Sequence, residues 1–339
     1  MNASSKTEVR ALILTRSDVA ALMAPQDYLA AVEAGFRSHA SSHIEPVMPM
    51  HIPAGLGIFH AKAARLVLER EYVALKLNGN FPGNPRLNGL PTIQGIVILC
   101  DASHGSVLAV MDSIEITLRR TAAASALAAR LLARRAAESL CVCGCGEQGR
   151  AQLLALAGVL PLRQVFAWDL DTSKAHTFAR EMRISLKIDV DVVQNLGEAA
   201  RSSDVIVTAT TARTSFLMAD MVSPGTLVAA VGADSPEKSE IAPELMAKAT
   251  IVVDLLAQAA VMGDLHHAID AGMVAITDVH AELGDIVAGR KPSRSRDDEI
   301  IVFDSTGTAI QDVASAAWIY QRAIAGDLGL PVRLGAVST

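Results

Sequence analysis

The sequence predicts an α/β protein in which a doubly wound parallel sheet follows a sheet-rich region, with the end of the chain returning to that region. Three observations lead there. An apolar strand at residues 140–143 runs through Gly144-Cys145-Gly146-Glu147-Gln148-Gly149 into a helix expected over residues 150–160. Beyond it, apolar runs at residues 165–168, 187–193, 204–209, 226–231 and 250–254 alternate with helical stretches, the pattern of a parallel sheet with helices on both faces. Ahead of it, between Pro46 and Val110, short β-branched runs are separated by Gly, Pro and Asn clusters, which is the punctuation of an antiparallel sheet.

Taken in order, residues 18–39 read as one amphipathic helix, with Asp18 able to cap it and Ala21, Leu22, Leu29, Val32 and Phe36 on its apolar face. Strands follow at 72–77 and 93–100, divided by the turn-rich segment from Asn78 to Pro85. An alanine-rich helix over 115–137 leads into the glycine turn. The last helix, 309–325, follows the apolar run 300–303 and is expected to rejoin the first domain. The division is therefore 1–120 with 309–339 for one discontinuous domain and 121–308 for the other. Residues 290–298 read as a solvated charged loop.

The glycine turn is a place to seat a pyrophosphate. Gly144 permits the tight turn, Gly146 lets backbone approach phosphate, Gly149 lets helix and strand pack closely, and the helix N-terminus offers unpaired N–H donors. One such motif is weak by itself. Here the next strand ends in Asp169, at the spacing of about 20 residues where a carboxylate accepts hydrogen bonds from the adenosine ribose hydroxyls. The region is thus a Rossmann-type dinucleotide site, and its acid, which repels a 2′-phosphate, favours NAD over NADP. Arg150 and Lys174 lie near enough in sequence to pull the other way.

Composition sets the outer bounds. With 339 residues, 51% hydrophobic and 19% charged, the chain is long enough for two domains with large cores. A net charge of −6, with Lys and Arg scattered, offers no basic footprint for nucleic acid or an anionic membrane. The first nine residues lack an apolar leader segment, and the most apolar stretch, 121–132, is too short to span a bilayer. Of four cysteines, Cys141, Cys143 and Cys145 alternate along and just past a buried strand and read as small core residues rather than metal ligands. No metal is expected, and free thiols suit a reducing cytoplasm.

Charged groups inside apolar runs mark the remaining candidates. Lys76 interrupts Val73-Ala-Leu-Lys-Leu77, where a cation is costly unless it meets a ligand or a carboxylate. Alternation alone would equally place it on an exposed strand face. Arg119 and Arg120, read as opening the alanine-rich helix, sit unfavourably for its dipole and are either surface charges or retained to clamp a carboxylate. Asp234 follows the strand at 226–231, on the ligand side of a doubly wound sheet. It is either a general acid or base, or a helix cap. Nine histidines form no catalytic constellation, and His266-His267 reads as part of a surface helix.

Together these residues resemble the ornithine cyclodeaminase and mu-crystallin family, which includes an alanine dehydrogenase type and ketimine reductases. The likeness runs nearly end to end. It rests on Lys76-Leu-Asn-Gly-Asn-Phe-Pro-Gly-Asn84, Gly89-Leu-Pro-Thr-Ile93, Val110-Met-Asp112, Leu118-Arg-Arg-Thr-Ala-Ala123, the turn from Gly144 to Gln148, Val231-Gly-Ala-Asp234 with Lys238, Asp278-Val-His-Ala-Glu-Leu-Gly-Asp285, and Phe303-Asp-Ser-Thr-Gly307 with Ile310-Gln-Asp312. The resemblance implies that Lys76 is the substrate lysine, Arg120 the carboxylate-binding arginine, Asp234 the acid facing the substrate amine or imine, and Thr121 a cofactor contact. It also implies that Gly144, Gly146, Gln148, Gly149 and Asp169 hold NAD. The discontinuous domain then binds substrate and forms a homodimer.

One departure matters. The family's additional arginine, expected near Pro46-Val-Met-Pro-Met50, is missing, and Lys62 or His60 on the next strand is the candidate to replace it. What the resemblance implies is hydride transfer between NAD(H) and the α-carbon of a small amino or imino acid, as in alanine dehydrogenases and ketimine reductases. Two alternatives stay open: cyclodeamination of L-ornithine to L-proline and ammonia with catalytic NAD, and a non-catalytic, crystallin-like dinucleotide-binding protein.

Overall fold

A computed structural model describes residues 10–42, 44 and 48–334. The chain divides into two compact units, Met1–Thr117 with Ala309–Thr339, and Leu118–Thr308. Residues 1–9, in which no apolar leader is expected, and Pro46 and Val47 of the stretch that lacks the arginine, lie outside the described residues.

The first unit comprises β1 (Ala11–Leu14), α1 (Arg16–Leu22), α2 (Pro25–Ser41), β2 (Met50–Ala54), β3 (Gly57–Val67), β4 (Glu71–Asn80), α3 (Asn84–Leu87), β5 (Ile93–Asp101) and β6 (Val107–Asp112). From it α4 (Ser113–Leu132) carries the chain into the second unit. There follow β7 (Ser139–Cys143), α5 (Glu147–Ala157), β8 (Gln164–Trp168), α6 (Thr172–Leu186), β9 (Asp189–Val192), α7 (Leu196–Arg201), β10 (Val205–Thr208), β11 (Leu227–Ala230), α8 (Pro243–Lys248), β12 (Thr250–Val253), α9 (Leu256–Ala259), α10 (Asp264–Asp270), β13 (Ala281–Glu282), α11 (Leu283–Val287) and β14 (Ile301–Asp304). The chain then returns to the first unit with α12 (Ala309–Ala325) and β15 (Leu330–Val332).

Where one helix is expected over 18–39, two form. Pro25 cannot continue a helix from Leu22 but suits the first turn of the next. Thr15, not Asp18, is the first N-cap, and Asp18 completes its capping box by accepting the Thr15 N–H at 2.8 Å.

The first unit's sheet has the order β15-β1-β6-β5-β4-β3-β2. Only β1 and β6 pair in parallel; the other neighbours are antiparallel. α2 and α12 lie together and pack on this sheet. They approach closely because Gly35 has no side chain: a Cβ there would stand 2.8 Å from the Ala314 Cβ. The register sets two opposed faces. One carries Lys62, Lys76 and Val97 in a row and is buried. The other carries Met50, Ala61, Leu77 and Ile96 in a row, with Ile52 and Leu75 beside them, and is largely apolar yet open to solvent.

The second unit is an all-parallel sheet of order β13-β12-β14-β11-β10-β7-β8-β9. Its central strands are buried along their whole length, as a sheet covered on both faces requires. Cys141 and Cys143 join Ile206, Val228 and Val302 in the core. The strand order reverses between β7 and β10, so the glycine turn after β7 stands at the topological switch point. The 290–298 loop is exposed, as expected, except at Arg294, whose half-buried guanidinium donates to the Leu132 carbonyl at 2.7 Å and to that of Glu299 at 2.6 Å. Among the described residues, no helix is long and apolar enough to cross a membrane, and no group of His, Cys, Asp and Glu is placed to hold a metal ion.

Candidate active site

Each glycine of the turn has a separate steric reason. Gly144 sits at φ +101, where a Cβ would lie 2.5 Å from the Ala209 carbonyl oxygen. A Cβ on Gly149 would lie 2.0 Å from the Gly144 oxygen, so only glycine lets α5 close on β7. Gly146, by contrast, has nothing within 4 Å of a Cβ position; its lack of a side chain keeps open space over the turn. It is also the N-cap of α5 and supplies no side-chain acceptor to the helix N–H groups. Gln148 Nε2 is buried there without a hydrogen-bond partner among the described residues. An open cradle, an uncapped helix start and an unsatisfied amide fit a pyrophosphate.

Asp169 closes the other side. Its Oδ2 accepts the Cys145 N–H at 2.8 Å and its Oδ1 the Asp171 N–H at 2.9 Å, which fixes the carboxylate beside the turn. Arg150, whose charge could have attracted a 2′-phosphate, donates instead to Glu181 at 2.7 Å and to the Cys145 carbonyl at 2.9 Å. The Cys145 thiol is pushed up to about 12, chiefly by burial and then by the neighbouring Asp169 charge. It is an inert packing group rather than a nucleophile.

Asp234 stands in the loop after β11. No helix begins there; the next, α8, starts at Pro243, so Asp234 is not a helix cap. The Asp234 N–H donates to the Gly232 carbonyl at 3.1 Å, and Lys238 Nζ approaches Asp234 Oδ1 at 2.6 Å. More than half of the Asp234 side chain is exposed, so it is presented rather than packed.

Arg120 and Thr121 require a correction of context. α4 begins at Ser113, where the Asp112 carboxylate accepts the N–H groups of Ile114 and Glu115 at 3.0 and 3.1 Å. Arg120 therefore lies two turns inside the helix, away from its dipole end, and is buried, as is Thr121. Gly307, at φ +73, lets the backbone pass against the guanidinium: a Cβ would come within 2.6 Å of Arg120 Nη1. That backbone is held by Asp254, which accepts the Gly307 N–H at 2.7 Å and the Thr306 hydroxyl at 3.0 Å, and by Gln258 Nε2, which donates to Thr306 Oγ1 at 2.7 Å.

In the first unit Lys76 points to the buried face, between Ala74 and Asn78, while Leu75 is the exposed neighbour. The exposed-face alternative is thereby excluded. Lys76 Nζ lies 2.8 Å from Asp312 Oδ2 on α12, both side chains almost wholly buried. Lys62, directly opposite Lys76 in the β3–β4 register, is buried on the same face. Two residue pairs further along, His60 opposes Asn78 and bonds His51 through their Nδ1 atoms at 2.8 Å. Asn78 Oδ1 accepts the Ser113 hydroxyl at 2.5 Å. Thus Lys62 and Lys76 gather in one unit; the glycine turn, Asp169, Arg120, Thr121 and Asp234 belong to the other. Sequence reasoning missed the buried acids Asp254, Glu240, Asp264 and Asp304. For Asp254 and Asp304 the available signal was an acid at or just after an apolar strand.

Fold and turn define a doubly wound α/β protein of the dinucleotide-binding class. The profile of the ornithine cyclodeaminase/mu-crystallin family matches residues 9–327, and the chain belongs to that family. It is 38% identical over 325 residues to an alanine dehydrogenase from Archaeoglobus fulgidus, covering 95% of this chain and 98% of that one. Among solved structures it resembles an archaeal alanine dehydrogenase dimer with bound NAD, at a TM-score of 0.91 and 38% identity over 96% of this chain and 99% of that one. It also resembles a Thermococcus litoralis Δ1-pyrroline-2-carboxylate reductase in complex with NADH and L-proline, at a TM-score of 0.89 and 30% identity over 95% of this chain and 100% of that one.

Proposed function

We propose that this protein is an NAD(H)-dependent oxidoreductase that transfers hydride at the α-carbon of a small amino or imino acid. The observation that carries the reading is the glycine turn at the switch point of the sheet, with Asp169 fixed beside it, in a chain that matches amino- and imino-acid oxidoreductases along its length. Bound at the turn, NAD supplies the hydride acceptor. Gly144, Gly146 and Gly149 make room for the pyrophosphate, Gln148 donates to it, Asp169 accepts from the ribose hydroxyls, and Thr121 is a further contact.

The protein's own groups position the substrate. Arg120 holds its carboxylate, with the planar guanidinium suited to a bidentate pair. Lys76, oriented by Asp312, polarises the carboxylate or imine side, and Lys62 stands in for the missing arginine. Asp234 takes a proton from the substrate nitrogen or from water, and Lys238 holds the acid. In the oxidative direction the α C–H bond breaks, its electron pair leaves as hydride, and the nitrogen lone pair forms the imine. Water then adds and ammonia leaves.

The same chain forms a cytoplasmic homodimer through the first unit's sheet. The open apolar face bearing Met50, Ile52, Leu75 and Ile96 supports this, because so contiguous an apolar patch marks an association surface. Four free thiols suit the cytoplasm. An amino acid deuterated at C2 tests the hydride path directly. Deuterium appearing in the reduced nicotinamide supports transfer from the α-carbon, and its loss to solvent contradicts it.

A further inference from the structure

We infer that Glu240 is a positioning residue, which closes the loop carrying Asp234 and locks it to the end of the neighbouring strand. The inference deepens the proposed function and rests on the role given there to Asp234.

Glu240 is fully buried, and its two carboxylate oxygens accept four hydrogen bonds from three places. Oε2 accepts the Thr208 hydroxyl at 2.6 Å and the Gly232 N–H at 2.8 Å. Oε1 accepts the N–H and the hydroxyl of Thr210, each at 2.6 Å. Thr208 ends β10, Thr210 follows it, and Gly232 opens the loop after β11, so one side chain joins two adjacent strand ends on the ligand side of the sheet.

The main chain of Glu240 closes the same loop from its far end. Its carbonyl accepts the N–H groups of Phe216 and Leu217 at 3.0 Å, and its own N–H donates to Asp264 Oδ1 at 2.7 Å. Residues 232–240 therefore start and finish on one residue, with Asp234 presented between. Two further contacts steady the loop, Ser239 N–H on the Ala212 carbonyl at 3.0 Å and His267 Nε2 on the Lys238 carbonyl at 2.8 Å. Gly232 is glycine for the same reason: a Cβ there would lie 2.4 Å from Glu240 Oε1.

This arrangement makes even the isosteric change Glu240→Gln damaging. Each oxygen of Glu240 faces a backbone N–H, from Thr210 on one side and from Gly232 on the other. A glutamine has one oxygen, so its NH2 must meet one of those two N–H groups as donor against donor. Because backbone donors cannot reverse, one strand end is released and Asp234 shifts with it.

A double-mutant cycle over Asp234→Ala and Glu240→Gln in the NAD-loaded enzyme tests this, with steady-state kinetics on the best amino-acid substrate and NADH affinity by fluorescence. Glu240→Gln is expected to lower kcat by about tenfold to a hundredfold, to change NADH affinity by less than about threefold, and to add less than about twofold to the loss of Asp234→Ala. Wild-type kcat in Glu240→Gln, or losses that multiply in the double variant, overturn the inference. An Asp234→Ala enzyme with full activity overturns the reading of Asp234 beneath it, and shows itself in the single variant. If Glu240→Gln does not fold, Thr210→Val removes one of the four bonds. It should lower kcat by about threefold in the wild-type background only; an equal loss in the Asp234→Ala background counts against the inference.

Discussion

Lys76 Nζ lies 2.8 Å from Asp312 Oδ2, with 4% and 2% of the two side chains exposed. So buried a pair is poor evidence of stability, because desolvation offsets much of the attraction. Its worth lies in fixing where the ammonium points. Asp312→Asn keeps the shape and removes the charge. It should lower turnover by about tenfold or more, while Lys76→Ala should lower it by about a hundredfold, in both cases with NADH affinity little changed. Lys76→Ala should also destabilise the fold by about 3 kcal/mol, since it leaves the carboxylate without its cation. Kinetics, NADH titration and denaturant melts on both variants check these outcomes, and a fully active Lys76→Ala enzyme would remove the role given to the lysine.

Asp169→Ala removes the proposed ribose acceptor and the bond to the Cys145 N–H together. NADH affinity should fall by about tenfold, corresponding to one hydrogen bond to a charged group. NADPH affinity should fall less or rise, because the repulsion of a 2′-phosphate disappears. Fluorescence titration with both nucleotides reads the ratio directly.

Much of the second unit was legible in the sequence because parallel strands buried on both faces are continuous apolar runs, and because glycine turns obey steric rules that act locally. The first unit was less so. β1 and β15 are short strands completed by partners far away in sequence, and no local pattern announces them. Lys76 was ambiguous because Ala74 shares its face, so alternation could not say which side was inside. No local pattern accounts for Arg120: it lies inside α4, away from the dipole end, against the close passage of Gly307, nearly two hundred residues on. Glu240 carried no sequence signal, since its four donors come from two other strand ends.

The outer sheet face gives a prediction about assembly. Leu75 is 41% exposed amid Met50, Ile52 and Ile96. Leu75→Asp places a charge in the centre of that apolar face, and a dimer formed there should dissociate. Size-exclusion chromatography with light scattering should show a dimer for the wild type and a monomer for the variant. A variant that remains dimeric would move the interface elsewhere.

Stability should depend on pH through Asp264, whose carboxyl is pushed up to about 7 by burial first and by the charge of Glu240 next. A carboxyl raised above its unfolded value favours the fold while protonated. Its contribution is complete below about pH 4, the ordinary Asp value. It is lost as the pH rises towards 7, and changes little beyond. Asp264→Asn carries no titrating group, so its unfolding free energy should decline less between pH 4 and 7 than that of the wild type. Urea unfolding at several pH values compares the slopes, and equal slopes would mean that Asp264 is ionised throughout.

The most direct measurement mixes the purified protein with NAD and L-alanine, L-ornithine or L-lysine, and follows NADH absorbance and free ammonia together. The proposed function requires NADH and ammonia to rise in step with at least one amino acid. Ammonia released from ornithine beyond the NAD supplied, with no NADH accumulating, would contradict it and establish a cyclodeaminase.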